Sequence, residues 1–88
     1  MPVFTVFTME NCPDCKNAKD LLNRKKLVIE ERTDSTFTPE ELIALVGPIR
    51  TLPQIVLTDD NGDKYHVGGY KDLVDHLMTG AKVLRKLG

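Results

Sequence analysis

Residues 3–22 read VFTVFTMENCPDCKNAKDLL, and the fold is decided by how this stretch changes period. Val3 to Phe7 is short, β-branched and aromatic, the composition of a buried strand. Beyond the two cysteines the spacing turns helical, with Ala18, Leu21, Leu22 and Lys25 on one face and Lys16, Lys19, Asp20 and Asn23 polar. A strand therefore runs through a short loop into a helix, with Cys12-Pro13-Asp14-Cys15 at the junction.

Working outward, Val28 to Arg32 (VIEER) reads as a second strand whose acidic residues suit a sheet edge. Thr38-Pro39-Glu40-Glu41 is a helix start, with Thr38 at the N-cap, Pro39 at the first helical position and Glu41 closing a capping box. Leu42, Leu45 and Val46 form its apolar stripe, and Gly47-Pro48 ends it. Gln54 to Thr58 (QIVLT) and Lys64 to Val67 (KYHV) flank DDNGD, where Asn61-Gly62 favours a type I′ hairpin turn. Gly68-Gly69 breaks the second of these strands. A last helix carries Leu73, Val74, Leu77 and Met78 on one face. Gly80 interrupts it, and Val83, Leu84 and Leu87 are expected to pack a final turn onto the core. The order β-α-β-α-β-β-α predicts an α/β fold. Its first two strands are parallel through a right-handed crossover, its hairpin is antiparallel, and helices flank a four-stranded mixed sheet.

The 88 residues suffice for one domain (residues 1–88) with one modest core. With 41% hydrophobic and 28% charged residues the composition is that of an ordinary soluble globular chain. A net charge of −1 argues against nucleic acid, which calls for a clustered basic face. Lys82, Arg85 and Lys86 read as a solvated helix face. No apolar run approaches the roughly 20 residues of a membrane span. The first residues lack the positive start of a signal peptide, so the expected compartment is the cytoplasm. With no apolar stripe left over, a monomer is expected.

Thiols are kept reduced in that compartment, so two cysteines there point to catalysis or metal before a structural staple. A zinc site wants about four ligands. The other soft candidates, His66 and His76, are not at ligand spacing and read as ordinary surface residues, so no metal is assigned. The junction explains the pair better. With Pro13 at the first helical position, Cys12 is the N-cap and Cys15 lies three residues on. An N-cap side chain accepts from first-turn amides, and a thiolate there also meets the positive end of the helix dipole. Both lower its pKa. Cys15 falls on the inward side with Ala18 and Leu22. Cys12 is therefore the expected nucleophile and Cys15 the resolving thiol.

Three motifs extend this reading: CPDC at a helix start, TLPQI before the third strand, and GGYKD before the last helix. In this order the chain resembles the dithiol glutaredoxins along nearly its whole length, phage members among them, and the element order is that of the thioredoxin fold. The resemblance implies a thiol–disulfide oxidoreductase with glutathione as co-substrate and no bound cofactor. Disulfide-containing proteins, ribonucleotide reductase included, are the implied partners. By the same resemblance Pro53 matches the family's cis-proline, facing the cysteines. The Leu52 backbone, next to Thr51, matches the position that pairs with the cysteinyl part of glutathione. Gly69, Tyr70, Lys71 and Asp72 match the segment that holds its γ-glutamyl end, and Arg50 lies where some members place a cation near its glycine carboxylate. The plainer readings are a simple turn at Gly68-Gly69 and core packing for Tyr70.

Two departures from the family pattern bear on chemistry. Met9 stands where many members have Lys or Arg. Asp14 replaces the usual Tyr, with Glu10 nearby, and two carboxylates oppose ionisation of Cys12. The expected consequences are a Cys12 pKa above that of typical members, a more reducing couple and weaker glutathione binding. The change at Met9 also keeps open a relative reduced by thioredoxin reductase. An iron–sulfur carrier is the remaining alternative, opposed by Pro13 and Cys15, since carriers often lack the motif proline or the second cysteine.

Overall fold

Val3–Thr8 forms β1, and every residue from Phe4 onward is buried, as a central strand requires. The computed structural model describes residues 1–80 and 83–88. β1 pairs in parallel with β2 (Val28–Thr33) and antiparallel with β3 (Gln54–Thr58). β4 (Lys64–Gly68) and β5 (Arg85–Leu87) complete a mixed sheet of order β2-β1-β3-β4-β5. The helices are α1 (Pro13–Arg24), α2 (Pro39–Val46) and α3 (Tyr70–Thr79).

The period-2 alternation of β1 sorts the core into two halves. Phe4 and Val6 meet Ala18, Leu21 and Leu22 of α1, Ile55, Val67 and Leu73 of α3 on one face of the sheet. Phe7 and Val56 meet Phe37, Leu42, Val46 and Leu87 on the other. Phe7 and Phe37 pack edge to face with ring centroids 5.1 Å apart, and the Arg32 guanidinium lies 5.7 Å from the Phe7 centroid. The sheet is thus sandwiched, with α1 and α3 on one side and α2 on the other.

β2 is the edge strand its acidic residues suggested, and both are used: Glu30 accepts from Thr5 Oγ1 at 3.4 Å, and Glu31 is held more firmly. Glu31 accepts from Lys19 Nζ of α1 at 2.7 Å and from Thr8 Oγ1 at 3.1 Å. The Lys19 hydrogen bond holds the Glu31 carboxyl below the ordinary carboxylate range, against the opposing cost of desolvation. A depressed carboxylate contributes stability that is present at neutral pH and lost as the pH falls through its folded-state value. The pair is partly solvated, so Glu31→Gln is expected to cost under about 1 kcal/mol at pH 7. That cost should vanish in acid, as thermal unfolding at the two pH values would show. An equal cost at both would mean that the ion pair contributes nothing.

The structure corrects several expectations. The hairpin turn is not type I′, because Gly62 has positive φ but Asn61 does not. Gly62 N–H donates to the Asp59 carbonyl, Asp59 N–H donates to the Asp63 carbonyl, and the Asp59 carboxylate accepts from the amides of Asn61 and Asp63. This is a type I turn closed by a left-handed glycine, which fits the five-residue connection that DDNGD makes. The last segment is a strand, not a helical turn. Gly80 ends α3 in the left-handed conformation, and residues 85–87 cover the otherwise open edge of β4. The sheet therefore has five strands. Arg85 and Lys86 belong to β5 and Lys82 lies outside the described residues. Leu87 reaches the second core, Leu84 packs against the first, and Val83 is exposed. Met78 and Lys25 also face solvent. Neither histidine sits openly on the surface: His66 is hydrogen-bonded to Gln54, and His76 is half-buried with its ring 6.3 Å from that of Phe4.

Candidate functional site

The loop leaving β1 passes through Asn11, at a φ of 57°, and delivers Cys12 to the end of α1. Cys12 has extended backbone geometry and is the helix N-cap, with Pro13 as the first helical residue. Its Sγ accepts from the Cys15 N–H at 3.2 Å, the capping bond that the spacing predicts. Cys15 points inward, 2% exposed, while Cys12 is half-buried at the mouth of the site. The two are joined as a disulfide with Cα atoms 5.2 Å apart. Asp14 lies in the first turn of α1 and lines one of the cavities at Cys12.

Across from the cysteines stands the loop between α2 and β3. The Leu52–Pro53 peptide is cis, Pro53 is buried, and the Leu52 carbonyl oxygen lies 3.6 Å from Cys12 Sγ. Next to it comes the start of α3. Gly69 lies beside the Pro53 carbonyl, and a Cβ placed on it would meet that oxygen at an ordinary contact distance of 3.7 Å. Gly69 is the N-cap of α3 and has no side chain to offer its first-turn amides. Asp72 turns back and accepts from the Gly69 N–H at 3.0 Å.

Gly68 has a φ of 114°, and a Cβ there would run into the Asp72 carboxylate. Gly68 is thus more than a strand break, since it allows this junction to close. Gly68→Ala is expected to destabilise by about 1–3 kcal/mol through strain and displacement of Asp72. Urea unfolding measures this, and an unchanged midpoint would count against it.

The structure therefore brings Cys12, Cys15, Leu52, Pro53, Gly69 and Asp72 to one corner of the molecule. Arg50 and Thr51 are exposed on the same loop and line a groove beside Leu52. Tyr70 is half-buried, packs against the first core, and lines a separate polar cavity with Asn17, Asp20, Asn23 and Arg24. Lys71 is exposed on the first turn of α3.

Sequence reasoning missed what supports the Thr51–Pro53 loop. Gln54 is buried and donates from Nε2 to the Thr51 carbonyl at 3.0 Å. Its Oε1 lies 2.7 Å from His66 Nε2, whose Nδ1 is 3.4 Å from an Arg85 guanidinium nitrogen. Arg85 also donates to the Val46 carbonyl at the end of α2. Because Arg85 only donates, Nδ1 is the acceptor, Nε2–H donates to Gln54, and the chain of bonds has a single direction. It fastens both ends of the 47–53 loop to β4 and β5. The available signal was a polar residue opening an otherwise apolar buried strand.

No group of three or more His, Cys, Asp or Glu is arranged for a metal ion among the described residues, and none of their helices is long and apolar enough to cross a membrane.

Comparison with known proteins places this arrangement. The family model described as Glutaredoxin matches residues 4–61. The chain is 41% identical over 78 residues to glutaredoxin 1 of Rickettsia typhi, covering 85% of this chain and 70% of that one. It is 30% identical over 93 residues to glutaredoxin-1 of Vaccinia virus, covering 96% and 82%. Among solved structures, glutaredoxin 1 of Francisella tularensis complexed with cacodylate superposes with a TM-score of 0.67 at 25% identity, covering 88% of this chain and 93% of that one. The chain belongs to the glutaredoxin family, and its chemistry is thiol–disulfide exchange through a Cys12–Cys15 pair.

Proposed function

We propose that the chain is a glutathione-dependent reductase of protein and glutathione mixed disulfides, with Cys12 as nucleophile and Cys15 as resolving thiol. The observation that carries this is the position of Cys12 Sγ, which takes an N–H bond from the opening turn of α1 and faces the Leu52 carbonyl. The Cys12 thiolate attacks one sulfur of a substrate disulfide, forms a mixed disulfide and expels one thiolate, which takes up a proton. Cys15, deprotonated in turn, attacks Cys12 Sγ and releases the second substrate thiol. The protein is left with the Cys12–Cys15 disulfide. Two glutathione molecules then reduce it through a Cys12–glutathione intermediate and leave as glutathione disulfide.

Glutathione fits the surroundings of Cys12. The Leu52 backbone offers β-type pairing to its cysteinyl unit. The opening amides of α3 at Tyr70 and Lys71 face its γ-glutamyl carboxylate, with Asp72 toward the ammonium. Arg50, beside Thr51 and Leu52, answers the glycine carboxylate, while Pro53 holds the loop against the cysteines. In this proposal residues 1–88 work as one cytoplasmic domain and as a monomer, and the family resemblance makes ribonucleotide reductase a candidate substrate.

An NADPH assay with glutathione and glutathione reductase is expected to turn over a small glutathione mixed disulfide. Turnover with thioredoxin reductase in place of both, and none with glutathione, would assign the electrons to the other source, which Met9 favours. Asp14 and Glu10 oppose the thiolate, so Asp14→Asn is expected to lower the midpoint of the Cys12 thiolate absorbance titration. An unchanged or higher midpoint would rule out the carboxylates as a brake on ionisation.

A further inference from the structure

Residues 47–53 belong to no helix or strand, yet they carry the backbone that faces Cys12. Their orientation therefore depends on ties made by side chains outside the segment. One such tie runs from Gln54 Nε2 to the Thr51 carbonyl at 3.0 Å, and Gln54 is 6% exposed, so water competes little for it. The Thr51 carbonyl and the Leu52 N–H belong to one planar trans peptide unit, in which they point opposite ways. Holding that carbonyl fixes the direction of the Leu52 N–H on the other side of the plane. A glutamine amide can present either end, and His66 decides which end faces Thr51. Its Nε2 lies 2.7 Å from Gln54 Oε1, and Arg85, a donor only, lies 3.4 Å from Nδ1. Arg85 thus selects the tautomer with Nε2–H, that N–H claims the Gln54 oxygen, and the amide nitrogen is left for Thr51.

We infer that Gln54 and His66, with Arg85 behind them, are positioning residues that aim the Leu52 N–H at the backbone of a disulfide substrate. The inference rests on the proposed β-type pairing at Leu52. The three side chains act through the Thr51–Leu52 peptide and not on the sulfur. Cys12 keeps its capping bond from the Cys15 N–H whichever way that peptide turns. Without the Nε2–H of His66 the Gln54 amide is free to flip. Its oxygen would then oppose the Thr51 carbonyl, two acceptors face to face, and the peptide would turn to relieve them. A substrate with a peptide carbonyl beside its cysteine gains from a fixed donor, whereas a disulfide without peptide groups has nothing to offer it. The last strand, distant in sequence from the cysteines, is in this way coupled to substrate recognition through Arg85.

The test is single turnover of the fully reduced protein, without any other reductant, on two disulfides. Glutathione disulfide carries cysteinyl peptide groups, and bis(2-hydroxyethyl) disulfide carries none. Each takes two electrons and two protons from the protein and becomes two thiols as the Cys12–Cys15 disulfide closes. The unaltered protein is expected to favour glutathione disulfide. His66→Phe should lower that preference about tenfold, the scale of one hydrogen bond left unmade. His66→Gln, whose amide still donates toward Gln54, should restore most of it. Alkylation of Cys12 by iodoacetamide should change little in either variant, since it needs only the thiolate. A His66→Phe effect shared by both disulfides and iodoacetamide, or an unchanged preference, would overturn the positioning role. The preference is a ratio within one sample, so a smaller folded fraction scales both rates alike. If His66→Phe does not fold, Arg85→Met takes its place. A loss of preference in the same direction is then expected, and an unchanged preference overturns the inference. An unaltered protein without the preference removes the pairing at Leu52 and the positioning role together. A preference that survives the substitutions removes the positioning role alone.

Discussion

Cys15→Ser is expected to stop the exchange half-way, leaving Cys12 in a mixed disulfide with its substrate. The reason is geometric. Cys12 sits at the mouth of the site, whereas Cys15 is buried one turn further into α1, within disulfide distance of its partner. Once Cys12 has captured a substrate sulfur, Cys15 is the thiol placed to attack from within the protein. Its replacement removes that intramolecular step but not the first attack. Cys12→Ser, by contrast, should lower protein disulfide reduction to the uncatalysed background, because the remaining thiol has no access. Intact-mass analysis after exposure to a peptide disulfide distinguishes the two variants. The Cys15→Ser protein gains the mass of one peptide thiol and the Cys12→Ser protein gains nothing. The opposite pattern would exchange the two roles.

The largest effect on stability is expected from Leu22→Ala. Leu22 is fully buried where α1 meets the sheet, among Phe4, Val6, Ile55 and Leu73. Truncating such a side chain costs about 2–5 kcal/mol, the lost transfer energy plus that of the cavity left behind. A domain of this size has a total of only about 5–15 kcal/mol. The melting temperature should therefore fall by more than roughly 10 °C. Ile43→Gln, on the exposed face of α2, should shift it far less. A Leu22→Ala protein that melts like the parent would contradict the placement of the core.

Much of this architecture is legible in the chain because local signals and burial agree. The CPDC junction, the Thr38 cap, and the β1 and β3 strands each combine a recognisable start with an apolar pattern of the right period. The Thr38 side chain, for example, accepts from the Glu41 N–H at 3.1 Å, as its spacing predicts. The errors fall where long-range contacts override local pattern. Residues 83–87 carry apolar side chains at spacing compatible with a helical turn, yet the open edge of β4 takes 85–87 as a strand. Asn61-Gly62 favours a two-residue turn, but the Asp59 carboxylate captures two amides and sets a longer one. In the site, the cysteines and the glycine pair are visible in the sequence. The Arg85–His66–Gln54 chain is not, since its members are brought together only by the pairing of β3, β4 and β5. The groove beside Leu52 is apolar surface that the pattern does not show, for the same reason: Met9 and Ile43, which line it, are far apart in sequence and adjoin only once α2 lies beside the 47–53 loop.

The opening turn of α1 is expected to make Cys12 the reactive sulfur. Alkylation of the reduced protein by iodoacetamide across a pH series, with the labelled residue identified by mass spectrometry, tests it most directly. Label is expected on Cys12 first, with a midpoint below the ordinary thiol range and Cys15 protected until the protein unfolds. Label on Cys15 first, or equal labelling of both with the midpoint of a free cysteine, would contradict it.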